Sequence, residues 1–423
     1  MLKIIILILA SIVIWYFSNH NEASTHQEII EKKMPTMDIA YEKAEAKLYL
    51  NTIRTQMNMT TLQYNTELEK AAQAHANYLV ANDTFSHNEI EGTTGFTGTH
   101  PYDRALAMGY ATSMISENLS TKNKNAKNSI DGLFSAIYHR FAFLNPSIDE
   151  IGIGIMQDTI QTNQSAFVYM MGNSTLNHLC KGKSFQGTGR YIYGICKDPN
   201  HRIKEYDFKQ AYSTNQRNNP KLIIYPYNNQ TNVPPAFYEE IPDPLPDYQV
   251  SGFPISIMFN EYFFQNVKLY TFKLFTKDGH IINNVRFMDK NNDPNHQFTD
   301  KQYALFPLQR LEYDTTYIVK IEYEANGKQQ HYSWSFHTQK PQGKLYTITQ
   351  KEEFLTLKPN VSYVLYFRPF DGSDFLKDIE FPTQVSISFV DNNTIRLEIS
   401  DHTIEHFDIR YKDRVVHINI KEN

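Results

Sequence analysis

The sequence predicts an α+β protein: an N-terminal α-β-α sandwich, then a β-sandwich and a small C-terminal β domain. Three observations predict it. Helical periodicity dominates from about residue 38 to 143, two β-rich runs follow at once, and short alternating strands with turn signals fill the chain beyond about residue 219. Helices first and strands last, over some 140 residues, reads as helices covering a sheet.

The elements follow in chain order. In AYEKAEAKLYLNTIRTQMN, Ala44, Leu48, Leu50 and Ile53 recur near helical spacing with no Gly or Pro between them. A second helix, Glu67 to Val80, carries an apolar stripe of Leu68, Ala71, Ala72, His75 and Leu79. A third spans about Asn128–Phe143 and stops at Asn145–Pro146, where proline cannot continue it. EIGIGIMQ and SAFVYMMG then read as strands, separated by the polar DTIQTNQ.

Length and composition set the outer limits. At 423 residues the chain exceeds one ordinary core, and a prior of roughly 100–200 residues per domain gives two or three. With 41% hydrophobic residues, 28 Tyr and 27 Phe, the chain can fill several cores and is globular. The net charge of -5, with Lys and Arg interspersed among Asp and Glu, leaves no basic stripe for a phosphate backbone, so nucleic acid is not the expected partner.

At the N-terminus, Lys3 precedes an apolar run from Ile4 to Phe17, interrupted by Ser11 alone. Fourteen residues fit a signal-peptide core better than the roughly 20 of a membrane-spanning helix. The following SNHNEAST offers no A-x-A-like cleavage pair, since Asn21 stands two residues before Ala23. Residues 1–23 are therefore expected to be a signal peptide or an N-terminal membrane anchor, and 24–37 a linker. Either places the remainder outside the cytoplasm: secreted, periplasmic or anchored. Cysteine usage agrees. Cys180 and Cys196 are the two cysteines, at hairpin spacing around KGKSFQGTGRYIYGI, and suggest one disulfide, with a pair of buried thiols as the alternative. No C-x-x-C spacing supports a zinc pair.

The segments LNTIRTQMNMTTLQYNTELEKAAQAHANYL, NDTFSH, DRALAMGY, SENL and HRFAFLNPSIDEIGIGI occur in one order and spacing. In that order the chain resembles the CAP superfamily of cysteine-rich secretory proteins, antigen 5 and plant pathogenesis-related proteins, in its short bacterial form. The resemblance covers about a third of the chain, and the domain is expected to span 38–200 with the Cys180–Cys196 hairpin as an extension. It implies a surface cavity in which two His and two Glu converge and can hold a divalent metal. His87 of FSH, Glu117 of SENL and His139 of YHR match three of them. The fourth position falls at Ala136, so the second glutamate is missing. Asp131, the one acid nearby on that helix, is too far along it to substitute.

Two imidazoles and one carboxylate suit zinc with an open coordination position. Taken one by one, the same residues have plain explanations: His139 as a helix-end histidine, Glu117 as a loop acceptor before Asn118, His87 as an exposed ring. His75, Arg104, Arg140 and Asn145 also lie in family-like motifs, and each has a structural reading; close packing is expected for His75, and for the two arginines carboxylate pairing at the cavity rim or an acidic ligand, the structural role being favoured. No Ser or Cys nucleophile stands in a recognisable setting, and there is no G-x-S-x-G.

Beyond Cys196 a polar stretch leads into a second region. Between 219 and 339, LIIYP, ISIMF, YTFKLF, YALFPL, YIVKIEY and YSWSFHT alternate with turns such as Lys277-Asp278-Gly279 and Asn326-Gly327, the pattern of an immunoglobulin-like β-sandwich. Its VPP and PDPLP segments and YSWSFHT ending resemble the Ig-like modules behind bacterial CAP domains. The run Asp289 to Asp293 resembles a calcium loop, but Pro294 holds the glycine position and no Glu follows at the right place, so a solvated turn is expected. Residues 341–423, with YVLYFR, VSISFV, TIRLEI and VVHINI, form the small β domain.

Two functions stay open at this stage. One is a non-enzymatic envelope protein that binds a lipid, glycan or peptide ligand, or an envelope protein partner, at the cavity or its β modules. The other is a metal-assisted, peptidase-like hydrolase. The missing glutamate and nucleophile favour the first.

Overall fold

The computed structural model describes residues 35–160, 164–238, 240–376, 379–400 and 404–421. The expected signal or anchor at 1–23, and all but the end of the 24–37 linker, lie outside them. Among the described residues no helix is long and apolar enough to cross a membrane. The chain divides into two compact units, one within 33–339 and one within 340–423.

The first unit opens with helix α1 (Ile39–Gln56), capped by the Asp38 side chain on the Tyr41 N–H. Its buried stripe is Ala46, Leu50 and Ile53. Ala44 and Leu48, expected on that stripe, face solvent, because the spacing i, i+4, i+7 selects the other register. A short strand β1 (Gln63–Tyr64) leads into α2 (Thr66–Ala81), where Leu68, Ala71, Ala72, His75 and Leu79 are buried as the periodicity predicts. Next come α3 (Pro101–Ala107) and β2 (Ser116–Thr121).

The single helix expected over Asn128–Phe143 is instead two, α4 (Ala126–Ser135) and α5 (Ile137–Phe143). Ala136 between them is extended, with φ -75 and ψ 119. Strands β3 (Glu150–Asp158) and β4 (Gln164–Gly172) match the two predicted runs.

The four strands form one sheet in the order β1-β3-β4-β2. Alternation along β4 sends Phe167, Tyr169 and Met171 toward the core shared with α1, α4 and α5. Ala166, Val168 and Met170 face the opposite way, into the core under α2 and α3. On β3, Ile151, Ile153 and Ile155 join the first core while Gly152 and Gly154 face α2. A Cβ on Gly152 would lie 2.1 Å from backbone atoms of Leu68 and Glu69, and one on Gly154 2.2 Å from those of Ala72. The glycines therefore let the alanine face of α2 press directly on the sheet.

Helix α6 (Ser174–Lys181), a small hairpin of β5 (Tyr191–Ile192) and β6 (Ile203–Lys204), and α7 (Glu205–Arg217) complete this region. Cys180 and Cys196 form the disulfide, closing 16 residues of sequence, a loop for which the chain-entropy estimate gives about 3 kcal/mol.

The stretch from 205 to 217, read from sequence as a polar lead-in, is thus helical. Beyond it lies a sandwich of two four-stranded sheets. One contains β7 (Leu222–Tyr225), β11 (Ile255–Phe259), β13 (Val285–Met288) and β14 (Gln302–Pro307). The other contains β8 (Gln230–Val233), β12 (Val267–Thr276), β15 (Thr316–Ala325) and β16 (Lys328–Thr338). Short β9 (Ala236–Phe237) and β10 (Ser251–Gly252) pair between them in sequence. Asn326 and Gly327, both at positive φ, make the tight turn from β15 to β16.

The sandwich and the N-terminal sheet share one continuous apolar core, running from Ala46 to Phe336. Arg140 of α5 leaves its own module and donates to Pro254 O at 2.7 Å and Ser256 Oγ at 3.1 Å, its guanidinium lying over Tyr225 and Phe253. Asp293, expected in a solvated turn, is buried instead. It accepts the Tyr138 hydroxyl and the N–H groups of Asn295, Gln297 and Phe298, which consumes its lone pairs without a cation.

The second unit packs strands β17 (Lys344–Ile348), β19 (Ser362–Phe367), β20 (Ser386–Asp391) and β21 (Thr394–Glu398) with β18 (Glu352–Leu357), β22 (His406–Tyr411) and β23 (Arg414–Ile420) around its own core.

The glycine contacts predict opposite outcomes for two alanine substitutions. Gly152→Ala is expected to cost about 3 kcal/mol or more through overpacking. Gly132→Ala, in open space within α4, is expected to gain about 1 kcal/mol. Urea denaturation of both variants checks this, and equal midpoints would contradict the close approach of α2 to β3.

Candidate functional site

Glu117 lies on β2, and not in a loop as the sequence alone suggested. Its side chain is 1% exposed and surrounded by donors. Arg104 Nη2 reaches both of its oxygens, at 3.0 and 2.9 Å, and His87 Nδ1 lies 2.9 Å from Oε1. Behind it, His75 Nδ1 pairs with Glu89 at 2.9 Å while His75 Nε2 faces Ser86 O at 3.0 Å. Both nitrogens of that ring face acceptors, which a doubly protonated ring satisfies. The buried set then balances two carboxylates, Glu89 and Glu117, against Arg104 and His75. His75 is more than the close-packed residue its alanine neighbours suggested, since it belongs to this ion-pair network.

Burial alone would raise the pKa of Glu117. The His87 hydrogen bond and the charges of His75 and Arg104 outweigh it and hold the carboxyl below its ordinary value. Glu89 is likewise held low, burial being overcome by His75, the Thr97 N–H and Arg104.

His139, on α5, stands across from His87 with ring centroids 6.4 Å apart and planes 23° from parallel. The His87 side chain is 45% exposed and the His139 side chain 10%. Asn118, next to Glu117, donates to His139 O at 2.8 Å and ties β2 to α5. The structure thus brings His87, Glu117 and His139 to one place. Among the described residues, however, no group of three or more His, Cys, Asp and Glu is arranged to hold a metal ion. Glu117 sits behind His87 and is already engaged by Arg104.

Sequence reasoning missed Glu240. It lies between β9 and β10 of the sandwich, 101 residues from His139, and its side chain is fully buried. Its Oε1 lies 2.8 Å from His139 Nδ1, and its two oxygens also take the N–H groups of Ile137 and Tyr138, at 2.6 and 3.0 Å. No local pattern marks it, because its partners are distant in the chain. Asp131, dismissed as a substitute, accepts the Tyr49 hydroxyl instead, and burial holds its carboxyl above the ordinary range. Arg104 does pair with a carboxylate; Arg140 turns away into the sandwich. Asn145 caps the following turn by accepting the Ser147 N–H.

Each of the two site imidazoles therefore has Nδ1 against a carboxylate, and neither Nε2 has a hydrogen-bond partner among the described residues. Such rings can donate a lone pair to a cation, or exchange a hydrogen bond with a polar ligand.

Residues 48–172 match the family model described as "Cysteine-rich secretory protein family" (CAP), so this span is a CAP domain. An outer surface protein from Borrelia burgdorferi is 21% identical, covering 33% of this chain and 97% of its own, with a TM-score of 0.29. An extracellular protein containing a SCP domain from Bacillus anthracis is 18% identical over 32% of this chain and 44% of its own, TM-score 0.27. A cysteine-rich secretory protein from Staphylococcus aureus is 17% identical over 32% and 40%, TM-score 0.24. The chain thus spans less than half the length of the latter two. No curated protein matches at a significant level.

The low pKa values of Glu117 and Glu89 fix the sign of an acid effect. The unfolded chain binds more protons than the folded one in mild acid, so their contribution is complete above the ordinary carboxylate value of about 4.3 and is lost as pH falls through the lower folded values. Glu117→Gln is expected to be less stable than wild type at pH 7, with the difference shrinking below about pH 4. Thermal melts across pH 3–7 test this, and a difference that grows in acid would contradict the buried ion pair.

Proposed function

We propose that the chain, whose residues 48–172 are a CAP domain, is an extracytoplasmic envelope protein that binds a ligand at the His87–His139 opening and is not an enzyme. One observation carries the reading: both carboxylates beside the two histidines are buried and consumed. Glu117 is held by Arg104 and His87, and Glu240 by His139 and the start of α5. A metal-assisted hydrolase of the peptidase kind needs a carboxylate free to take a proton from the attacking water, and neither carboxylate is placed to do so.

The location rests on the Cys180–Cys196 disulfide, which belongs to an oxidising compartment, and on the Ile4–Phe17 apolar run. Secreted, periplasmic and anchored forms all fit these two features. Two of the similar structures are an outer surface protein and an extracellular protein, in keeping with this location.

Zinc fits the site in donor chemistry and falls short in donor number. His87 and His139 would hold it through Nε2, their far nitrogens fixed by carboxylates as in well-built zinc sites. With two protein donors and not three or four, water would have to complete the coordination and affinity would be below that of a closed site. A glycan or peptide bearing polar groups would use the same two nitrogens. A lipid ligand has less support where the accessible groups are two imidazoles.

Calorimetry with zinc on wild type, His87→Ala and His139→Ala tests the shared opening. Weak binding by wild type, lost in each variant and weakening in acid as the ligating imidazoles take up protons, is the expected result. Equal affinity in all three proteins would eliminate the site. A peptidase rate in wild type that disappears in Glu117→Gln would replace the binding reading with the hydrolase.

A further inference from the structure

The geometry points to a site built by two modules, in which Glu240 of the sandwich region is the positioning residue for His139. The CAP domain supplies one carboxylate–imidazole pair from within itself, Glu117 on β2 with His87. Its second ring has no such partner of its own, since the residue one helical turn before His139 is Ala136. Glu240 arrives from between β9 and β10 to make that pair.

Three features make Glu240 the fixed member and His139 the member that follows. The carboxylate is fully buried, where it persists only with its lone pairs occupied. Its acceptors are filled by the N–H groups of Ile137, Tyr138 and His139, at 2.6, 3.0 and 3.4 Å. Those donors belong to the backbone and cannot swing away. Finally, the guanidinium of Arg140, next in sequence, is buried too and donates to Pro254 O and Ser256 Oγ, which fixes the backbone on the other side of His139. An anion held in this way leaves the His139 ring one comfortable choice, to donate from Nδ1 and keep Nε2 as the acceptor.

The consequence is specific. His139 is held in the Nδ1–H form, opposite to the Nε2–H form that predominates for a free imidazole. Both histidines, whose ring centroids stand 6.4 Å apart, then keep Nε2 unprotonated, one set by the CAP domain and one by the sandwich region. The binding reading above needs Nε2 free on both rings, and this inference supplies the reason for the second. A displacement of the segment between β9 and β10 would release His139 without touching His87.

Nitrogen NMR on the full chain labelled with 15N-histidine, at pH 8 and without metal, reads the tautomers directly. Wild type is expected to show His87 and His139 both as Nδ1–H. Glu240→Ala should move His139 to Nε2–H and leave His87 unchanged. Glu240→Gln should keep Nδ1–H, because its one oxygen best occupies the Oε1 position that takes three donors. Loss of a helix cap alone would not produce that rescue.

Zinc titration of the same proteins should show a fall of about 10–100-fold in Glu240→Ala. A wild-type His139 already in the Nε2–H form overturns the proposal without any variant, and so does an unchanged His139 tautomer in folded Glu240→Ala. Failure of wild type to bind zinc would remove the cation reading while the tautomers still decide the role of Glu240.

Discussion

Helix α4 ends at Ser135 and α5 begins at Ile137 because Ala136 adopts an extended backbone, and the junction of the first unit depends on that interruption. Breaking the helix leaves N–H groups at the start of α5 without intrahelical partners. Glu240 takes them from the sandwich side. In exchange, Arg140 crosses in the other direction and donates to Pro254 and Ser256. Each side thus buries a charge in a pocket completed by the other. Such an exchange is costly to break, since removing one partner leaves a buried charge unsatisfied. Around it, Phe134 meets Tyr225 at 4.9 Å and Phe141 meets Phe298 edge-on at 5.2 Å, and the apolar core runs through without a seam.

The same junction shapes the site. His139 lies between Tyr138, whose hydroxyl binds Asp293, and Arg140, whose guanidinium enters the sandwich. Its two neighbours are therefore pinned by the second module while its ring faces the first. His87 has a different support, for Glu117 and the buried group behind it come wholly from α2, α3, β2 and the loop between α2 and α3. One ring is held by an electrostatic cluster internal to the CAP domain, the other by a contact between modules.

Much of the fold was legible because it is local. The stripe Leu68, Ala71, Ala72, His75 and Leu79 sets the buried face of α2, and EIGIGIMQ and SAFVYMMG are the strands β3 and β4. The Asn326-Gly327 turn needed no tertiary information. Where the reading failed, the deciding force was distant. Ala136 has no helix-breaking character, so nothing in its neighbourhood foretells a break stabilised by a residue about a hundred positions on. Leu48 looks like a core residue by type and is exposed by register. At the site, motif order located His87, Glu117 and His139. It could not show that Glu117 is already spent on Arg104, nor that a glutamate absent from one helix would return from another module.

With one apolar core and buried charges exchanged at α5, the CAP domain and the sandwich are expected to unfold as one cooperative body. Native-state hydrogen exchange, followed residue by residue in low denaturant, tests this most directly. The amides of Ile137 and Tyr138 are predicted to open with the same free energy as Tyr169 in the CAP sheet and Ile257 in the sandwich, all reporting one global unfolding. Two separate opening events, with the sandwich still protected while α5 and the CAP sheet exchange freely, would contradict it.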